Sequence, residues 1–241
     1  VLIIDKPVGL VVFPEGENLK SGEKTIIDLL LEKYPELKNV GKPLRYGIVH
    51  RLDKDTSGIL LVAKTNESLI FFQKQFSAVA KALADKKNSQ TLEKGVEKRY
   101  IALVEGNVKN DYGTIHTLIG RAQSDKRKQK VYLLNEPMSE GKREAITKYK
   151  VLQRFEDYTL LEVKIETGRR HQIRCHLSSI HHPIAGDKMY GFKNSPVPKG
   201  LTRQFLHAAY LKIQLPDSQI KEFKSDLPED LKQILENLGI N

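Results

Sequence analysis

The 241-residue chain holds a single cysteine, Cys175. That excludes an internal disulfide and any zinc site built from several thiolates. Long apolar runs are missing too. Stretches such as Ile59 to Ala63 fall far short of the roughly 20 residues that a membrane-spanning helix needs. No apolar or Arg-rich leader precedes the first structured segment, so nothing points to export, and a cytoplasmic setting away from membranes is expected. Neither G-x-G-x-x-G nor G-x-x-x-x-G-K-[ST] occurs, which removes support for a dinucleotide or P-loop site. Internal repeats and low-complexity linkers are absent, so one continuous domain over residues 1–241 is the simplest organisation.

What the chain does have is positive charge. Forty Lys and Arg stand against thirty Asp and Glu, a formal net charge of +10 and a pI near 9.4. Apolar residues at 39% and charged residues at 29% fit a folded, soluble domain and not a disordered tail. The cationic excess suits either a solvated lysine-rich surface or a polyanionic partner. Clustering favours the polyanion. Arg121, Lys126, Arg127, Lys128 and Lys130 have only Asp125 opposing them nearby, and Arg169, Arg170 and Arg174 crowd His171.

Periodicity predicts an α+β fold. Val1 to Ile4 reads as a strand, followed by the turn Lys6-Pro7-Val8-Gly9. Thr25 is the expected N-cap of a helix, with Asp28 in its first turn and Pro35 as its stop. Ile59 to Lys64 reads as a short buried strand. Asn66 to about Lys87 reads as a helix, and the charged stretch Lys81 to Lys98 is expected to project from the body. Arg99–Glu105, Ala145–Leu152 and Tyr158–Glu166 alternate as strands, the last with Thr159, Leu161, Val163 and Ile165 on one face. Leu211, Ile213 and Leu215 repeat that pattern. Leu231, Ile234, Leu235 and Leu238 mark an amphipathic helix closed by Gly239. With few βαβ alternations, the sheet should be mixed and mostly antiparallel, flanked by helices.

One ionisable run, His50-Arg51-Leu52-Asp53-Lys54-Asp55-Thr56-Ser57-Gly58, stands at the head of a predicted strand. Such loops are where a rigid scaffold presents catalytic groups. By charge alone, Asp53 and Asp55 read as ion-pairing residues. A rival reading makes His50, Asp53 and Asp55 ligands of a metal-dependent nuclease or phosphohydrolase. Glu162 and Glu166 are the candidates for its further carboxylates, but they sit among strand residues with no partnering histidine pattern.

The run from His50 to Thr65 resembles the signature of the RluA-like family of RNA pseudouridine synthases. Further matches follow in order. Lys98 to Gly106 resembles that family's K-x-Y-x-A-L-V-x-G element. Glu166 to Arg174 resembles T-G-R-x-H-Q-I-R, followed by His182-Pro183-Ile184-Ala185-Gly186-Asp187. Leu206-His207-Ala208 resembles the late L-H-A element, and Asp5-Lys6-Pro7 to Pro14 the opening K-P-x-G-L-x-V strand. The resemblance covers nearly the whole chain. It implies a synthase-like α+β domain with its cleft across the sheet, converting uridine to pseudouridine in RNA as a monomer without metal or cofactor. Large-subunit ribosomal RNA is the expected target, with transfer RNA second.

The resemblance further implies that Asp53 is the essential aspartate, Tyr100 the active-site tyrosine and Arg174 the cation paired with Asp53. The chemistry explains the need. The C1′–N1 bond of uridine must break, the uracil must turn, and its C5 must bond to C1′. A carboxylate serves either by attacking C1′ or by removing the 2′ proton, and both routes stay open. An ionised aspartate in a dry pocket needs a cation nearby, and the planar fork of Arg174 stays protonated there. In helical register Ile173, Leu177 and Ile180 share a stripe, and Arg170 and Arg174 share another face.

The target base must leave its stack, and Arg51 is expected to fill the vacated space or hold a phosphate. His50 and Leu52 flank it in the substrate-binding run, His50 as a hydrogen-bonder and not a proton carrier. Thr167, Gly168, Arg169 and His171 are expected substrate contacts, and Arg121 belongs to a basic hairpin or loop gripping phosphates. Phe13 replaces a frequent histidine, Ala78 to Glu97 is longer and richer in lysine, and no S4-type RNA-binding domain is visible. A non-catalytic RNA-binding module would have lost Asp53, Tyr100 or Arg174; all three are present.

Overall fold

The alternating segments pair into one nine-stranded sheet in the computed structural model, which describes residues 1–14, 23–84, 96–136 and 141–239. The strands are β1 (Leu2–Lys6), β2 (Ser57–Val62), β3 (Glu97–Glu105), β4 (Tyr112–Arg121), β5 (Gln129–Tyr132), β6 (Arg143–Arg154), β7 (Tyr158–Ile165), β8 (Leu206–Gln214) and β9 (Ile220–Lys224). The helices are α1 (Ile26–Lys33), α2 (Asn66–Ala84), α3 (Gln172–Ser179) and α4 (Glu229–Asn237), with a 3-10 turn at Pro35–Asn39. The spatial order is β1-β2-β8-β3-β7-β6-β4-β5, and β9 pairs with β8. Only β2 and β8 run parallel among these pairings, so the expected mixed, mostly antiparallel α+β sheet is what forms. No helix among the described residues is long and apolar enough to cross a membrane.

Local chemistry explains where elements begin. The Thr25 hydroxyl accepts the Asp28 N–H while the Asp28 carboxylate accepts the Thr25 N–H at 2.8 Å, a reciprocal cap at the head of α1. Thr65 and Ser68 make the same exchange at the head of α2, each backbone N–H reaching the other's hydroxyl at 3.2 Å. The continuation of α2 predicted to Lys87 lies outside the described residues past Ala84. β6 overruns its predicted ends, and a register shift between Val151 and Gln153 turns Leu152 out to solvent. Residues 121–130, expected as a basic hairpin or loop, are the end of the β4–β5 hairpin.

β2 corrects the strand predicted at Ile59 to Lys64. It starts two residues earlier because Ser57 and Gly58 pair with His207 and Ala208 of β8. It stops at Val62 because the Ala63 N–H bonds instead to the Gly47 carbonyl at 2.8 Å. This parallel contact is short and closely fitted. Gly58 has φ +109°, and a Cβ there would sit 2.3 Å from the Ala208 carbonyl oxygen. Beside it, His207 Nε2–H donates to the Ser225 carbonyl at 3.1 Å, which leaves Nδ1 to accept the Ser57 hydroxyl at 2.9 Å.

Two apolar clusters meet at β8. Leu206 and Ala208 belong to the one containing β3, β7, α3 and α4; Leu211 and Ile213 belong to the one containing β2 and α1. The junction at Gly58 therefore ties the two halves of the core together. Gly58→Ala is expected to destabilise the fold by about 2 kcal/mol or more, from positive φ and backbone collision. Thermal unfolding should show a melting temperature lower by at least about 4 °C, and an unchanged value would mean that the junction is not tight.

Candidate active site

Asp53 stands on an irregular segment whose backbone is gripped from several sides. The Lys6 ammonium, buried at the end of β1, donates to the carbonyls of Pro7, Leu10 and Lys54 at 2.7, 2.9 and 3.1 Å. Arg203 donates to the Asp55 carbonyl at 3.3 Å while its fork holds Asp230 of α4 at 2.6 and 3.0 Å. The Gln204 amide donates to the Thr56 hydroxyl at 2.8 Å, and the Thr56 N–H reaches back to the Asp53 carbonyl at 3.1 Å. Lys6, Arg203 and Gln204 are all buried, so each bond replaces one that water would have made.

Facing that segment is the turn from Glu166 to His171, which leads into α3. One side chain shapes it. Gln172 Oε1 accepts the Thr167 hydroxyl at 2.8 Å and the Arg169 N–H at 3.0 Å, while its Nε2 donates to the Ile146 carbonyl and the Thr147 hydroxyl, each at 3.0 Å. His171 takes left-handed backbone angles, φ 54°, at the helix N-cap. Arg170 therefore precedes α3 and does not share a helical face with Arg174, a correction to the register read from sequence.

Arg174 joins the two walls. Its Nη1 donates to Asp53 Oδ2 at 2.9 Å. Its Nε and Nη2 make a two-pronged pair with Asp187 at 2.7 and 2.9 Å. Asp187 is fully enclosed and also accepts the N–H groups of Met189 and Tyr190. The Tyr190 ring lies 5.1 Å from the guanidinium. Its oxygen accepts the Gln129 N–H at 2.7 Å and its proton is left to donate to His171 Nδ1 at 3.0 Å. That assigns the remaining ring proton to His171 Nε2, which faces Asp53 Oδ1 at 3.9 Å.

Charge follows from this geometry. Burial opposes ionisation of Asp53, but the fields of His171, Arg174 and Arg51 and the Arg174 hydrogen bond outweigh it and hold the carboxyl below its ordinary range. His171 is pushed down to about 4 by burial against the pull of Asp53, with three arginines adding to the burial. At neutral pH the imidazole is uncharged, so Arg174 and Arg51 supply the positive charge that keeps Asp53 ionised. Burial and the Asp53 charge together push the Tyr100 phenol well above its usual range, so it stays protonated.

Asp53, Tyr100 and Arg174 line one cavity of about 380 Å³. Tyr100 is aimed into it from β3, at the point where the β3–β8 register shifts between Arg99 and Ile101. Arg51, Leu52 and His171 share the cavity, as do Gly168 and Arg169. His50 lines it too, but its Nε2 accepts the Leu61 N–H at 3.0 Å and its ring stacks on Phe76 at 4.7 Å. Pushed down to about 3 by burial, it is an uncharged scaffold group.

Two expected contacts lie elsewhere. Thr167 is buried, its hydroxyl spent on Gln172 and on the Ile146 N–H at 3.1 Å. Arg121 lines a separate groove of about 620 Å³ with Lys142 and Arg143, which shares Gly168, Arg169 and Arg170 with the cavity. The sequence reading gave no role to Asp187, Tyr190, Arg203 or Lys98. Asp187 stood in a quoted motif, and Lys98 opened another, but no spacing rule points to Tyr190 or Arg203.

Residues 1–179 match the RNA pseudouridylate synthase family. The chain is 38% identical over its whole length to the uncharacterized RNA pseudouridine synthase YlyB of Bacillus subtilis, covering 71% of that protein. It is 40% identical over 98% of its length to ribosomal large subunit pseudouridine synthase D of Nitrosomonas europaea, covering 62% of it. Other curated relatives are covered over as little as 56% of their length. A solved structure titled human RNA pseudouridylate synthase domain containing 4 superposes with a TM-score of 0.70 at 24% identity, over 98% of this chain and 88% of that one, a likeness of fold. With the matched region running from the Lys6 anchor through the Asp53 segment to Arg174, the chain belongs to the RNA pseudouridylate synthase family.

Proposed function

We propose that this chain isomerises uridine to pseudouridine in structured RNA, with Asp53 as the essential carboxylate. The observation carrying this reading is the 2.9 Å contact between Asp53 and Arg174, 121 residues apart in sequence, inside a cavity that also holds Tyr100. Both candidate routes, attack on C1′ and removal of the 2′ proton, use the ionised carboxylate that this pair maintains. A phenol held protonated suits stacking on the uracil and hydrogen-bond donation better than service as a base.

The uridine enters this cavity of about 380 Å³ flipped out of its stack, since a stacked base cannot bring its C1′ to Asp53. Arg51, 5.6 Å from the Phe13 ring at the same cavity, occupies the space left behind or holds an adjoining phosphate. The strand beside the flipped nucleotide runs into the groove where Arg121, Lys142 and Arg143 meet Arg169 and Arg170. Such contacts position RNA without reading its sequence. Large-subunit ribosomal RNA is the proposed target, in line with the name of the Nitrosomonas relative; modification of transfer RNA is the alternative outcome. The rival metal site finds no support in the geometry: among the described residues no group of three or more His, Cys, Asp or Glu is placed to hold an ion.

Pseudouridine mapping in total RNA from cells carrying wild type or Asp53→Asn should show the loss of one or a few sites, with turnover reduced by about 10²–10⁴-fold or more. An unchanged map in cells lacking any redundant enzyme would refute the proposal. Arg174→Lys cannot grip Asp187 with two prongs and reach Asp53 as well. It should lower turnover by at least about tenfold and cost about 3 kcal/mol of stability, seen in denaturant unfolding. Replacing Arg121 and Arg143 together by Gln should flatten the slope of log affinity against log salt by about 1.4–1.8, two phosphate contacts, in a filter-binding series. The rate at saturating RNA should stay unchanged in that pair.

A further inference from the structure

Besides its arginines, the cavity is lined by a lysine that the pairing of Asp53 with Arg174 does not use. Lys98 precedes Tyr100 by two residues on β3, so both side chains leave the same face of the strand. It is only 6% exposed, yet its side chain borders the cavity. Its ammonium sits 5.2 Å from the centre of the Phe76 ring, the ring that stacks on His50. Among the described residues no carboxylate comes within ion-pair distance of it. Glu166, whose field reaches it, is engaged by Lys148 at 3.1 Å and Lys164 at 3.9 Å. A buried ammonium without a counter-charge is costly unless something anionic arrives.

We propose that Lys98 donates to the carbonyl oxygens of the flipped uracil and stabilises the negative charge that the base acquires when its C1′–N1 bond breaks. This rests on the pseudouridine-synthase reading. The groove lined by Arg121, Lys142 and Arg143 offers contacts to phosphates, and the buried Lys98, beside Tyr100 on β3, is placed to meet the base. In the reaction the C1′–N1 electron pair leaves with the uracil and spreads over N1, O2 and O4. After the base turns, C5 bonds to C1′, the C5 hydrogen departs as a proton and N1 gains one. No redox change occurs, and Lys98 keeps its proton throughout. Asp53 thus acts at the sugar and Lys98 at the base, with Tyr100 two residues from Lys98 on the same strand. The groups facing Lys98 are Glu166, which favours its charge, Arg169, which opposes it, and the uncharged His50; burial is the largest influence and lowers its pKa to about 8.

The test uses single-turnover kinetics on a transcript of the RNA segment that the Asp53→Asn map identifies. Lys98→Met should slow pseudouridine formation by about 10²–10³-fold, as for loss of one donor to a developing anion, with RNA affinity within about threefold of wild type. The wild-type rate should fall above about pH 8, and Lys98→Arg should retain activity and move that fall to higher pH. The pH profile of the folded Lys98→Arg protein keeps the test decisive even if Lys98→Met folds poorly. A Lys98→Met rate within about threefold of wild type, or the same alkaline fall in Lys98→Arg, would overturn the assignment. Wild type that forms no pseudouridine would instead defeat the functional reading beneath it.

Discussion

A single guanidinium shared between two carboxylates is the contact on which the rest of the site depends. The Asp187 side is two-pronged, enclosed and backed by two backbone N–H groups, so it fixes the plane of Arg174. The remaining nitrogen then has one direction to point, toward Asp53. Asp53 is held as an anion by a partner that cannot swing away to follow solvent or a passing phosphate. That is preorganisation in the electrostatic sense: the field is in place before substrate arrives, and no reorientation is needed during reaction. Had Arg174 faced Asp53 alone, nothing would have fixed the plane of its fork.

The same logic runs through the support for the Asp53 segment. Lys6, Arg203 and Gln204 are buried polar groups aimed at backbone carbonyls and one hydroxyl, where apolar residues of the same size would pack with less risk. Each leaves orphaned partners if removed, so the scaffold trades tolerance to mutation for a loop that cannot relax. Stability spent this way is a familiar cost of a fixed active site.

The elements carrying a clear hydrophobic period were legible in the sequence: β1, α1, β3, β7 and α4 stand close to where alternation and caps put them. The misreadings have physical causes. β2 was displaced because Ser57 and Gly58 look like loop residues, and only the carbonyl of Ala208, far along the chain, makes a strand of them. β4 and β9 mix polar and apolar residues on exposed faces, so no period announces them. In the site, Asp53, Tyr100 and Arg174 were readable because each lies in a motif with a resemblance behind it. Tyr190 and Arg203 were not, since the His171 nitrogen that Tyr190 meets and the Asp55 carbonyl and Asp230 carboxylate that Arg203 meets come into reach only on folding. Thr167 and Arg170 show the reverse: the motif resemblance suggested a substrate contact for one and helical spacing a shared face for the other, and Gln172 holds that corner.

The short parallel contact between β2 and β8 has a consequence in time. Ser57 meets His207 across 150 positions of chain, and Asp53 meets Arg174 across 121. At about 5–20 residues per second on the ribosome, the first segment waits on the order of ten seconds for the second to be made. Until then the β2 edge has no β8 neighbour, and Asp53 lacks its partner Arg174. Closure of such distant loops is slow and comes late. A chain whose synthesis stops before α3 therefore carries the whole recognisable motif of the aspartate without the guanidinium that pairs with it.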